Sequence, residues 1–115
     1  MAGEQFIIRS KIWIEDEKGK VVFGLGRYRI LDAVARHSSL QAAAKELKMG
    51  YRALWGRIKA SEERLGKTLV VREGKGSRLT PFAQELMEQF KKLHSHILED
   101  SNIVFSKLLA GCFDK

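Results

Sequence analysis

The chain has 115 residues, 44% of them hydrophobic, with two Trp, six Phe and a net charge of +7, which suits one domain able to bury a core. No apolar run nears the roughly 20 residues of a membrane helix, and MAGEQF lacks the basic-then-apolar order of a secretory signal, so a cytoplasmic protein without membrane contact is expected. A single cysteine, Cys112, excludes an internal disulfide and a thiolate zinc cluster.

In chain order, FIIRSKIWIE and KVVFG are β-type runs joined by Asp16-Glu17-Lys18-Gly19, which predicts a hairpin over about residues 6 to 24. A first helix follows from about Arg27 to Arg36, with Ile30, Leu31 and Val34 facing inward. Gly24 and Gly26 after a strand superficially match a dinucleotide loop, but the third glycine and the acidic ribose contact are missing. Ser38 and Ser39 are placed to end this helix and cap the next, over about Leu40 to Leu47. The third helix runs from about Tyr51 to Leu65 and stops at Gly66. Ala43, Ala44, Leu47 and Met49 supply the inner face of the second helix and its turn, and Leu54 and Ile58 that of the third. Two short helices across a tight turn make a helix-turn-helix.

TLVVREGKGSRLT then reads as a second hairpin, the wing, over about residues 68 to 80 with a glycine-rich, basic tip. Thr80-Pro81 suits a helix start, threonine as cap and proline as first helical residue. Leu86, Phe90, Leu93 and Ile97 recur along this last helix at steps of three and four, a seam suited to a partner helix. Asp100-Ser101-Asn102 is expected to interrupt it, with Ile103 to Leu109 as a closing segment. The other use of the seam is to fold back onto the first helix and the N-terminal hairpin. The expected fold is mainly α with a small amount of β: a winged helix-turn-helix over residues 1–80, its helix-turn-helix at about 39–65, and a helical dimerisation segment over 81–115.

The charge is unevenly placed. Between Lys45 and Thr80 stand ten Lys and Arg against four Glu, whereas the flanking stretches are close to balanced. A basic patch on a groove-reading motif neutralises phosphate and releases counterions, so double-stranded DNA is the expected partner, bound by a homodimer. Arg52 can form a bidentate contact to guanine. Tyr51 suits a phosphate or a thymine methyl and Lys59 suits backbone phosphate, with Ser39 and Gln41 at the start of the second helix joining them. Trp55 either faces DNA or covers the seam between the third helix and the wing. Arg72, Lys75 and Arg78 on the wing reach backbone or minor groove. A protein-interaction adaptor on the same scaffold would have no need of the concentrated charge.

Catalysis finds no support. His37 lies at a helix end, and His94 and His96 fall on different faces of one helix. His96 and Glu99 alone do not make a metal site. No catalytic residue, metal or cofactor is expected.

The segment SLQAAAKELKMGYRALWGRIKASEERLGKTLVVRE with SRLTPFAQEL resembles the winged helix-turn-helix shared by LysR-type regulators and the molybdate-responsive ModE type. Glu63-Arg64-Leu65-Gly66 and Leu79-Thr80-Pro81 are common to both. Tyr51, Arg52, Trp55 and Ile58, with a strand pair before the first helix, favour the ModE type. Lys48 departs from the pattern, standing where many such turns carry glycine, and Ser61 replaces a bulky apolar residue. The oxyanion site of the ModE type lies in C-terminal domains, so the resemblance implies DNA binding without molybdate binding by this chain alone.

Overall fold

A computed structural model describes residues 6–113. Its elements are β1 (Trp13–Glu15), β2 (Val21–Gly24), α1 (Leu25–His37), α2 (Leu40–Glu46), α3 (Tyr51–Leu65), β3 (Val70–Glu73), β4 (Gly76–Leu79), α4 (Pro81–Leu108) and α5 (Ala110–Phe113). The strands form two separate antiparallel hairpins, β1–β2 and β3–β4. The fold is the winged helix-turn-helix that the sequence predicts.

Local chemistry explains most boundaries. Asp16 shapes the first hairpin by accepting the Lys18 and Lys20 amides on Oδ1, at 2.9 and 3.0 Å. The Ser39 hydroxyl accepts the Ala42 amide at 3.1 Å and opens α2. Gly66, at φ +68°, closes α3 in the left-handed conformation. Thr80 accepts the Ala83 amide at 3.1 Å and donates to the Thr68 carbonyl at 2.7 Å, which ties the start of α4 to the base of the wing. In the wing, Val70 to Glu73 pair with Leu79 to Gly76 across the turn Gly74-Lys75. Positive φ at Gly74 alone of the two turn residues matches the arrangement whose twist suits a hairpin.

The core gathers Phe23 of β2, Leu31 and Val34 of α1, Ala43 of α2, Leu54 and Ile58 of α3, and Leu69 beside the wing. Phe90 of α4 closes it, edge-on to Phe23 at 5.2 Å between ring centres and 6.4 Å from Tyr28.

Three expectations need correction. The first hairpin is shorter than residues 6 to 24: its ladder begins at Trp13, opposite Gly24. The chain enters α1 at Leu25, two residues earlier than expected, so residues before Trp13 find no strand to pair with. Asp100-Ser101-Asn102 does not interrupt α4, which runs unbroken for 28 residues, about 42 Å at 1.5 Å per residue. These three carry only modest propensity costs, and none is proline or glycine. Ile103 to Leu108 therefore continues α4 and does not form a separate segment.

The third correction concerns the seam of α4, which divides. Phe90 is buried, and Leu86 is half-buried against the same core, so both serve the monomer as the fold-back alternative requires. Leu93 is 44% exposed, and Ile97 lines an apolar groove with Ile8, Val104 and Leu108. Among the described residues, α4 has no buried side chain after Phe90, and Val104 and Leu108 are 49% and 68% exposed.

Candidate nucleic-acid interface

The turn into α3 is held by backbone bonds from Lys48 to Lys45 and from Met49 to Ala44, at 3.2 and 2.9 Å. Lys48 adopts φ +56°, a left-handed conformation that costs a side-chain-bearing residue energy and explains why glycine is common at this place. Leu54, Ile58 and Ser61 are buried. That orientation leaves Tyr51, Arg52, Gly56, Arg57 and Lys59 exposed.

Five of the expected contact residues converge. Ser39, the N-cap of α2, Gln41 of α2, Tyr51 of α3, and Arg72 and Lys75 of the wing line one polar cleft of about 180 Å³, together with Ser77. The cleft keeps its shape because β4 is docked on the turn between α1 and α2: the Ser77 amide donates to the Ser38 carbonyl at 2.9 Å. Gly76 permits this approach, since a Cβ there would overlap the Ser38 carbonyl oxygen.

The other expected contacts lie outside the cleft. Arg52 is exposed on the outer face of α3 with no ion pair among the described residues. Trp55 is half-buried and packs against the core. The Lys59 ammonium lies 4.5 Å from the Trp55 ring centre and 3.2 Å from Glu62 Oε1. Glu62 uses its other oxygen to accept the Leu69 and Val70 amides at 2.7 and 3.2 Å, which fastens α3 to β3. Arg78 is exposed and paired with Glu73 across the wing at 2.6 Å.

Sequence reasoning missed Arg27 and Arg57. Arg57 is exposed on the side of α3 away from the wing, and Arg27 Nε donates to the buried Ser61 hydroxyl at 3.2 Å. That bond gives the buried Ser61 hydroxyl a partner. Ser61 alone gave a signal in the sequence, and nothing there tied it to a residue 34 positions earlier.

The sequence pattern of the bacterial regulatory helix-turn-helix proteins of the lysR family matches residues 25–84, from the start of α1 into the first turn of α4. The chain belongs to this family. Among relatives, the transcriptional regulator ModE of Haemophilus influenzae is 28% identical over 96 residues, covering 74% of this chain and 38% of its own length. The molybdenum transport protein ModE of Azotobacter vinelandii is 31% identical over 72 residues, covering 58% of this chain and 27% of its own. The chain thus spans under two-fifths of either relative. Among solved structures, the DBD of BenM in complex with benA site 1 DNA superposes with a TM-score of 0.56 at 27% identity, covering 76% of this chain and 97% of that domain. No helix among the described residues is long and apolar enough to cross a membrane.

Proposed function

We propose that this lysR-family chain is a sequence-specific DNA-binding transcriptional regulator of the cytoplasm, acting on duplex DNA as a two-fold dimer and carrying no catalytic activity. The observation that carries the reading is the basic, exposed face of α3 continuous with a polar cleft that α2 and the wing complete. An α-helix about 10–12 Å across fits a major groove about 12 Å wide. Arg52 then meets base edges, where a good bidentate pair discriminates by about 1–3 kcal/mol. Tyr51, Arg72 and Lys75 hold backbone phosphate, with Ser39 and Gln41 at the floor of the cleft.

The division of labour along the chain follows from burial. Residues up to about Phe90 make the DNA-binding domain and its core, and the remainder of α4 presents Leu93, Ile97, Val104 and Leu108 to a second copy. Two-fold pairing presents two copies of α3 to an inverted repeat.

The test is selection of bound sequences from a random duplex pool, followed by titration of the winner at two salt concentrations. A palindromic winner whose affinity falls steeply with salt is the expected result. Arg52→Ala should relax preference at one base position, and Lys75→Ala should weaken all duplexes alike. Absence of duplex binding at low salt would refute the reading.

A further inference from the structure

Arg27, Arg57 and Arg64 gather on the side of α3 opposite the wing. Ser61 lies one helical turn beyond Arg57 and nearly one before Arg64, so the bond from Arg27 Nε to the Ser61 hydroxyl seats the Arg27 guanidinium between the other two. Arg64 is fixed in turn by its bond to the Val21 carbonyl of β2. Partial burial first, and then the charges of Arg57 and Arg64, hold the Arg27 guanidinium below its ordinary pKa.

The two flanks of α3 differ in how their charge is balanced. On the wing flank, Lys59 is paired with Glu62 and Arg78 with Glu73, while Arg72 and Lys75 have no ion pair among the described residues. On the opposite flank, none of the three arginines has an ion pair among the described residues. Asp16 lies near enough to feel Arg64 but forms no ion pair with it, and its Oδ1 accepts the Lys18 and Lys20 amides. Three like charges, two of them held by hydrogen bonds to Ser61 and Val21, with no paired acid among the described residues, make a site suited to an anion.

We propose that Arg57 and Arg27 bind a phosphate oxyanion on this flank, supplied by the DNA strand that the wing does not reach. The proposal rests on the reading of α3 as the groove-bound helix. A helix that fills the major groove has a sugar-phosphate strand along each flank. The wing and its cleft serve one strand, and the arginine cluster lies on the other side of α3. A free inorganic phosphate shares the chemistry and is the other source.

Arg57 makes no hydrogen bond or ion pair among the described residues, so Arg57→Gln removes the charge without loosening the fold, which an unchanged melting temperature checks. Duplex affinity is measured over a series of salt concentrations for the unmodified chain, Arg57→Gln and Arg57→Lys. Arg57→Gln is expected to lower affinity on all sequences and reduce the slope of log affinity against log salt by about 1, with Arg57→Lys restoring it. A duplex series with single neutral methylphosphonate linkages locates the contact: one position should weaken the unmodified chain and leave Arg57→Gln indifferent. Calorimetric titration with inorganic phosphate covers the other source, where saturable heat lost in Arg57→Gln would support the site with a free anion as its ligand. The proposal is overturned if the unmodified chain binds duplex, Arg57→Gln binds it with the same slope, and phosphate gives no saturable heat. Failure of the unmodified chain to bind any duplex would instead refute the groove reading of α3.

Discussion

Gly76→Ala perturbs the contact that docks β4 of the wing on the turn between α1 and α2. The added Cβ would overlap the Ser38 carbonyl oxygen, which is backbone and cannot rotate aside. Either β4 lifts from the turn between α1 and α2, or that turn shifts. In both cases the 2.9 Å bond from the Ser77 amide to the Ser38 carbonyl is lost or stretched, and a typical hydrogen bond contributes about 1 kcal/mol net. Relief of overpacking adds roughly 1–2 kcal/mol. The total is about 2–3 kcal/mol, which for a chain of this size corresponds to a fall of roughly 8–12 °C in melting temperature. Because Arg72 and Lys75 ride on the displaced hairpin while Tyr51 and Gln41 stay on the helices, the cleft loses its convergence. Duplex affinity should therefore fall similarly on all sequences, with base preference kept by Arg52. Circular dichroism melting and duplex titration on selected and scrambled sequences measure the two effects. An unchanged melting temperature together with unchanged affinity would refute the account of Gly76 as the docking point of the wing.

Lys48→Gly relieves a side-chain-bearing residue at φ +56° and is expected to stabilise by about 0.5–1 kcal/mol, after the added flexibility of the unfolded chain is offset; a lower melting temperature would contradict it. Glu46 receives both Arg36 Nη atoms at 2.6 Å and His37 Nε2 at 2.7 Å, and these bonds, Arg36 first, lower its pKa from 4.5 to about 2. Its contribution is thus complete above about pH 4.5 and lost as pH falls through about 2; Glu46→Gln should flatten the melting temperature in that window, and an identical acid limb would sink the assignment. Phe90→Ala opens the core and should cost about 3–5 kcal/mol at every protein concentration. Val104→Asp should leave the monomer fold intact and abolish self-association, and sedimentation showing the unmodified chain monomeric at tens of micromolar would remove the dimer.

Some of the protein could be read from local chemistry alone. The bounds of α3 were legible because an apolar i, i+3, i+4 face ends at a glycine suited to the left-handed cap, and those of the wing because Gly74 meets the demand of a two-residue turn. Ser39 and Thr80 announced helix starts because a cap bond spans only three residues. Lys48 was legible as a departure, and its positive φ gives that departure a physical cost.

Tertiary structure decided the rest. An inward-facing stripe and a dimer seam share one period, so spacing could not place Phe90 in the core and Val104 outside; the nearness of Phe23 and Tyr28 to the first half of α4 decides it. Nor could spacing show that Trp55 leans on the core beneath Lys59, since an exposed and a half-buried indole occupy the same helical position. Arg27 and Ser61 carry no pattern that joins them across 34 residues. The arginine cluster exists because β2, the start of α1 and the middle of α3 are packed together, and packing between distant elements is set by the shape of the whole core, which no local window of residues contains.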